Sequence, residues 1–402
     1  MTAEVPVRQP PASLVGAECE LDIGPVAHGG HCVARWDGRV VFVRHSLPGE
    51  RARVRITEGD QSDRFLRGDA IEVLAAAAGR VQPPCPYAGP GRCGGCDFQH
   101  VAPARQRELL GDVVAEQLQR LAGLQRTVTV LPVQPDALHW RTRMGWTVRA
   151  DGAVGLRRHR SHQVEPVDVC PIAHPDTPLV GIEPRPDLRR IDTVVSSAGE
   201  QQVLADGQRV AGPAYATERV GERTFRVTGA GFWQVHPAAS ATLVDAVLDL
   251  GRPVAGERAV DLYSGVGLFA AFLGAAVGGH GTVVAVESDG AAVRDARRNL
   301  HDLPQVEIVN ARVDQALRSG RAGDRADVVV LDPPRTGAKA RVVRASCELG
   351  PSRVVYVACD PAALARDIAT FDALGYRLAD LRAYALFPMT HHVECVALLE
   401  RR

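Results

Sequence analysis

The C-terminal part of the chain alternates short β-branched runs with helix-period segments, and that alternation leaves few folds open. ERAVDLY, TVVAVES, VEIVNA, ADVVVLDPP and RVVYVAC are each of strand length and apolar through most of their course. GLFAAFLGAAVG, AAVRDARRNLHD and PAALARDIATFDALG separate or follow them, with apolar residues recurring every three or four positions. Strands buried on both faces and parted by helices make a doubly wound parallel sheet. The final runs, YRLADLRAYAL and HVECVALLE, have no helix between them, which predicts an antiparallel hairpin on the sheet edge. This α/β unit is expected to occupy residues 216–402.

A chain of 402 residues leaves room for two more cores ahead of it. With 46% hydrophobic and 23% charged residues the composition is that of ordinary globular protein. MTAEVPVRQPPAS lacks the pattern of a signal peptide, and LFAAFLGAAVGG is too short to span a bilayer. A cytoplasmic protein with no membrane association is the expectation. Zero net charge means that no global positive field advertises a nucleic-acid partner. Lys339 is the only lysine, so the wealth of Arg reads as coding bias rather than a selected surface. Nine Cys, an odd number, argue against a disulfide framework.

After a tail over 1–13, residues 14–76 run as short strands (CELDI, CVAR, RVVFVRH, RARVRI, GDAIEVL) parted by Gly, Asp and Pro, as in a small β-barrel. GPVAHGG followed by RVVFVRHSLPGERARVRI resembles the TRAM domain, an OB-like RNA-binding barrel. Residues 77–215 form a central α+β part, with a helix over 103–123. Between 139 and 162 six Arg and three His stand against one acid, beside Trp140 and Trp146, which could stack on unpaired bases.

DLYSGVGLF (261–269) joins a strand to a helix, and Gly265 and Gly267 let the backbone approach a ligand closely. Glu287, 22 residues after Gly265, ends the next strand, where a carboxylate can bind ribose hydroxyls. Position 270 is Ala, so the third Gly of a pyrophosphate turn is missing and S-adenosylmethionine suits the site better than NAD. Asp332, in VVVLDPPRTG, projects from the end of the fourth strand toward the same place.

Cys359, in YVACDPAALARD, lies between a strand end and a helix start, where the helix N-terminus is expected to favour a thiolate nucleophile. Glu394 stands between Val393 and Cys395 in an otherwise apolar strand, a position that calls for function or pairing. CPYAGPGRCGGCDFQH and VDVCPIAHP supply Cys85, Cys93, Cys96 and Cys170, a set able to wrap an iron–sulfur cube or a zinc ion. Gly94 and Gly95 keep that loop free of bulk near the sulfurs.

FWQVHPAA, DLYSGVGLF, LDPPRTG, ACDPAALARD and FPMTHHVE, in this order, resemble the RNA uracil-5-methyltransferases that modify tRNA and 23S rRNA. The resemblance implies a class I methyltransferase fold, with Gln234, Tyr263, Glu287 and Asp332 at adenosylmethionine. It implies Cys359 as nucleophile, Glu394 as base, and a [4Fe–4S] cluster on the four cysteines. Carbon 5 of uracil is a poor nucleophile until a thiolate adds to carbon 6, and release of the product then needs a base. The barrel and cysteine cluster point toward 23S rRNA, with tRNA as alternative substrate and a non-catalytic RNA-binding relative as the rival reading. A cytosine-5 enzyme is disfavoured, because its nucleophile follows a PC motif and the fourth strand here ends in DPP without Cys. RNA is the expected partner, and no obligate protein partner is evident. Two departures stand out: Leu268 where some members have Asn, and Ala385 where many have Asp.

Overall fold

A computed structural model describes residues 12–178 and 186–402. Most of the expected tail lies outside the described residues, and Ser13 already bridges to Asp60. Five strands follow, β1 (Glu18–Asp22), β2 (Cys32–Trp36), β3 (Arg39–Arg44), β4 (Arg51–Glu58) and β5 (Phe65–Ala75). They pair in the order β1-β4-β5-β3-β2, and the outer strands β1 and β2 return to contact, so the sheet curls into the expected barrel. Val41, Val43, Val54, Ile56 and Leu66 fill its inside at alternate positions.

Helix α1 (Pro103–Ala122) opens with Pro103 in its first turn and stops at Gly123, whose φ of 68° closes the last turn. Its apolar stripe, Leu109, Leu110, Val113, Val114 and Leu118, is buried. Beyond β6 (Val130–Pro132) comes an antiparallel sheet of β7 (Arg143–Val148), β8 (Val154–Arg157), β9 (Val164–Pro166), β10 (Arg190–Val195), β11 (Gln201–Ala205) and β12 (Gln208–Ala211). Its order is β12-β11-β10-β7-β8-β9. Trp140 and Trp146, expected as stacking platforms, are 1% and 0% exposed; Trp146 instead donates its indole N–H to Thr193 inside the core. The neighbouring basic run is largely engaged as well: Arg143 pairs with buried Glu218, Arg158 with Glu165 and Arg160 with Glu58.

A hairpin of β13 (Tyr215–Val220) and β14 (Arg223–Thr228) leads to helix α2 (Ala239–Gly251). The doubly wound unit then runs β15 (Arg258–Leu262), α3 (Leu268–Val277), β16 (Thr282–Glu287), α4 (Gly290–Asn299), β17 (Val306–Asn310), α5 (Val313–Arg318), β18 (Val328–Leu331), α6 (Lys339–Glu348), β19 (Arg353–Ala358) and α7 (Pro361–Asp372). Strands β20 (Tyr376–Ala385) and β21 (Glu394–Arg401) end it. Strand order is β17-β16-β15-β18-β19-β21-β20-β6, parallel from β17 to β19, with β21 antiparallel beside β19. The hairpin thus forms as expected, but β6, from the segment before 216, pairs with Ala383–Ala385 and closes that side.

Alternate strand residues enter opposite cores. Val260, Leu262, Val329 and Leu331 pack with α1 and α7, while Ala259, Val283, Val328 and Val330 pack with α2 and α3. The chain order reverses between β15 and β18, so a crevice opens at their carboxyl ends.

Candidate active site

At the end of β15, Asp261 is fully buried and accepts the Ala270 N–H of α3 at 2.9 Å, which pins the helix to the strand. The turn between them needs left-handed backbone at Tyr263 (φ 66°), Gly265 (φ 54°) and Gly267 (φ 92°). A Cβ at Gly265 would meet nothing within 4 Å, so this side of the turn faces open space. At Gly267 it would lie 2.7 Å from Leu300, so that glycine serves close packing of α3 instead. Leu268 is buried as the first residue of α3.

Glu287, at the end of β16, accepts the Gly265 N–H at 3.0 Å through one oxygen and the Ser288 and Asp289 N–H groups at 2.6 Å through the other. It therefore shapes the glycine turn from the neighbouring strand. Asp332 follows β18, and burial pushes its carboxyl up to about 7. Asp261 is raised well above the carboxylate range, first by burial and then by Asp332 and Glu287. Asp332 and Glu287 lie close enough to Asp261 to raise it, so three acidic groups gather at adjoining strand ends, an arrangement that favours a cation. Asp261 Oδ1 and Ser264 Oγ are buried there without a hydrogen-bond partner among the described residues. Sulfonium and ammonium groups beside hydroxyl-bearing ribose would meet both needs, so the residues present fit adenosylmethionine.

Tyr263 is half-buried, and burial, then Asp367 and Asp314, push its hydroxyl up to about 12. Gln234 lies between β14 and α2 beside buried Trp233, with no side-chain hydrogen bond to the other expected ligands among the described residues. The loop after Asp332 is braced from behind by Asp367 of α7, which takes the Ala338 N–H at 2.8 Å and the Tyr356 hydroxyl at 2.6 Å.

Cys359 follows β19, and Glu394 begins β21 directly alongside it. Glu394 is 3% exposed and raised well above the carboxylate range by burial and then Asp332, with Arg335 opposing. The thiol differs from expectation. Burial, then Glu394 and Asp332, push Cys359 up to about 12, against the lowering effect of Arg335. The start of α7 cannot offset this: Asp360 caps it, accepting the Ala363 N–H at 2.7 Å, so the helix terminus is already met by a carboxylate. Ala385, where the resemblance leads one to expect Asp, is buried at the end of β20 against Pro132 of β6. Arg335, missed in the sequence, also meets His392 at 3.3 Å; its place right after DPP was the available signal. Asp261 was likewise readable as a carboxylate inside the apolar run AVDL.

The four expected cysteines line one cavity of about 70 Å3 beneath the six-stranded sheet. One water needs roughly 10–15 Å3 of such space, so the cavity suits a group of several atoms. Among the described residues no group of three or more His, Cys, Asp or Glu is disposed to hold a metal ion. Every thiol nevertheless has N–H donors. Gly95 N–H reaches Cys93 Sγ at 3.4 Å, and the Gln99 amide reaches Cys96 Sγ at 3.3 Å. Tyr87 and Ala88 serve Cys85, and Ile172 and Ala173 serve Cys170. Gly95 thus acts as expected, whereas Gly94 lets the loop press on Arg158 and His159, where a Cβ would come within 2.6 Å of backbone.

Residues 12–71 match the TRAM domain, and residues 216–402 match the tRNA (uracil-5-)-methyltransferase family. A protein of Streptomyces coelicolor named as an RNA methyltransferase is 48% identical over 433 residues, covering 97% of this chain and 94% of its own. One of Bifidobacterium longum, also named as an RNA methyltransferase, is 38% identical over 430 residues, covering 98% of each. The crystal structure of Pyrococcus abyssi tRNA (uracil-54, C5)-methyltransferase with S-adenosyl-L-homocysteine superposes with a TM-score of 0.70 at 23% identity, covering 94% of this chain and 99% of that one. With its barrel, its doubly wound sheet and its acidic crevice, the chain belongs to the family of S-adenosylmethionine-dependent RNA (uracil-5-)-methyltransferases.

Proposed function

We propose that this enzyme methylates carbon 5 of a uridine in RNA by way of a covalent Cys359–carbon 6 adduct. The observation that carries the reading is the meeting of Cys359 and Glu394 at adjoining strand ends beside Asp332. Adenosylmethionine, held by Gln234, Tyr263, Glu287 and Asp332, supplies an electrophilic methyl group. Cys359 gives its proton to solvent as its sulfur bonds to carbon 6, leaving an enolate whose carbon 5 is nucleophilic. After methylation Glu394, deprotonated, takes the carbon 5 proton, and the sulfur leaves carbon 6 as the ring double bond re-forms. Arg335 is placed to favour both anions. A cation beside Asp332 also removes one of the two carboxylates that hold the thiol protonated.

RNA contact has support on the barrel. Phe65, 46% exposed, meets Phe42 edge to face at 5.7 Å, and Arg67 lies over both rings. Such a patch can stack on unpaired bases. We assign the cysteine cavity to a [4Fe–4S] cluster on Cys85, Cys93, Cys96 and Cys170, with a structural or RNA-contacting role.

We retain 23S rRNA as the substrate to test first. The barrel does not separate it from tRNA, because a tRNA enzyme shares the fold over 94% of this chain. We propose a cytoplasmic location on the strength of an RNA-modifying role. No helix among the described residues is long and apolar enough to cross a membrane. The deciding experiment is nucleoside analysis of rRNA and tRNA from a strain lacking this protein. Loss of 5-methyluridine from one pool identifies the substrate, and no loss from either overturns the reading.

A further inference from the structure

The barrel is joined to the catalytic unit at an unexpected point. Between β1 and β2 the loop Val26–His31 folds back on itself, with Gly29 at φ 95° and Gly30 at φ 78°. Ala27 N–H donates to the His31 carbonyl and Gly30 N–H to the Ala27 carbonyl. This tight fold carries His28 outward. Its Nε2 meets Asp360 Oδ2 at 3.0 Å, a contact spanning 332 residues of sequence. Asp360 is the residue after Cys359, and its other oxygen caps α7 through Ala363. One carboxylate is thus shared between the helix that follows the nucleophile and an imidazole from another domain.

The same loop reaches the segment carrying Glu394. A Cβ on Gly30 would lie 2.7 Å from His391 Cβ and 3.3 Å from Asp97 Cβ. Asp97 accepts the His391 backbone N–H at 3.1 Å and meets its Nδ1 at 2.6 Å, while Arg44 of the barrel stands 3.6 Å from Asp97. The loop therefore touches both chain segments that present the catalytic pair.

We propose that the barrel loop Val26–His31 is a wall of the active site and that His28 is a positioning residue for Cys359, acting through Asp360. The proposal rests on the reading of Cys359 as nucleophile. Residue 359 sits at the junction of strand and helix, so its direction follows the backbone of Asp360, and Asp360 is held from two sides. With His28 gone, one oxygen is released and the carboxylate can turn away from its cap. A nucleophile displaced by about 1 Å loses on the order of 100-fold in rate. His28 is 40% exposed, so the pair adds little to folding, and its removal should leave the fold intact.

The test measures kcat and KM for an RNA transcript that the wild-type enzyme methylates, in His28→Ala, His28→Gln, Asp360→Ser and the double variant. Ser keeps a capping oxygen but cannot reach His28. We expect His28→Ala to lower kcat by roughly tenfold, short of the full displacement effect, with KM for RNA and the melting temperature unchanged. His28→Gln, whose amide N–H can reach Asp360, should recover most of the loss. The double variant should be no slower than Asp360→Ser alone. A rise in KM with unchanged kcat would mean that the barrel only tethers RNA, and additive losses would deny the coupling; either result overturns the proposal. Cys359→Ala, run alongside, separates the two levels. If it still methylates, the nucleophile assignment falls and takes this proposal with it; if it is inactive, the His28 result stands alone.

Discussion

Cys359 and Glu394 face each other one step beyond Ala358 and Cys395, the outermost paired residues of β19 and β21. Antiparallel pairing brings residues 35 positions apart to one rim, where Glu394 helps to raise the Cys359 thiol. In the RNA-free enzyme this keeps the proposed nucleophile a thiol. The site is charged for catalysis only as positive groups arrive.

That state has a pH signature. Only the thiolate reacts with iodoacetamide. With a pKa pushed up to about 12, alkylation of Cys359 should be slow at neutral pH. Its rate should climb about tenfold per pH unit up to about pH 10, whereas an unperturbed thiol near 8.5 levels off sooner. Peptide-resolved mass spectrometry checks this, and a plateau below pH 9 would contradict it. Saturating adenosylmethionine should move the curve to lower pH.

In the proposed mechanism Cys359 and Glu394 act at different times, so their variants should fail differently. Cys359→Ala should form no covalent protein–RNA species and no product. Glu394→Gln should add to carbon 6 and accept the methyl group but release product poorly, accumulating an adduct that survives denaturing electrophoresis. Wild-type enzyme on 5-fluorouridine RNA should stall likewise, because fluorine cannot leave as a cation. Normal turnover by Glu394→Gln would show that another base serves.

Glu287→Ala removes the proposed ribose acceptor and also the partner of the Gly265 N–H. One charge-assisted hydrogen bond contributes about 1.5–3 kcal/mol, so adenosylmethionine should bind roughly 10- to 150-fold more weakly by calorimetry. Unchanged affinity would mean that the ribose is held elsewhere.

Anaerobically purified protein should be brown and carry about four irons per chain. Cys170→Ser should lose the colour, although Cys170 is 74 residues from Cys96, because both line one cavity. Stoichiometric zinc without iron would refute the cluster, and retained colour in the variant would refute Cys170 as a ligand.

Much of the site was legible because its residues sit at strand ends, and strand ends are marked locally by GVG, DPP and CDP. Glu394 was legible for a different reason, as a charge inside an apolar run. The acidity of Cys359 was not, since it depends on burial and on Glu394 and Asp332, distant in sequence. The helix start beside it suggested the opposite sign until Asp360 was seen to occupy the cap. Trp140 and Trp146 misled because a basic neighbourhood says nothing of which face a side chain takes. His28 carried no local signal at all; its partner lies in another domain.

The three residues Val130–Pro132 have a consequence for how such a protein can be divided or recombined. They lie hydrogen-bonded along Ala383–Ala385, and α1 just before them packs on α7. A cut at residue 216, where the family match begins, would leave a sheet with a bare flank, able to zip onto another copy of itself. Shuffling of RNA-binding modules onto this catalytic unit would have to carry residues 103–132 along with it. Ancestry, on that account, should treat the helix and its short strand as property of the catalytic unit, however far upstream they are encoded.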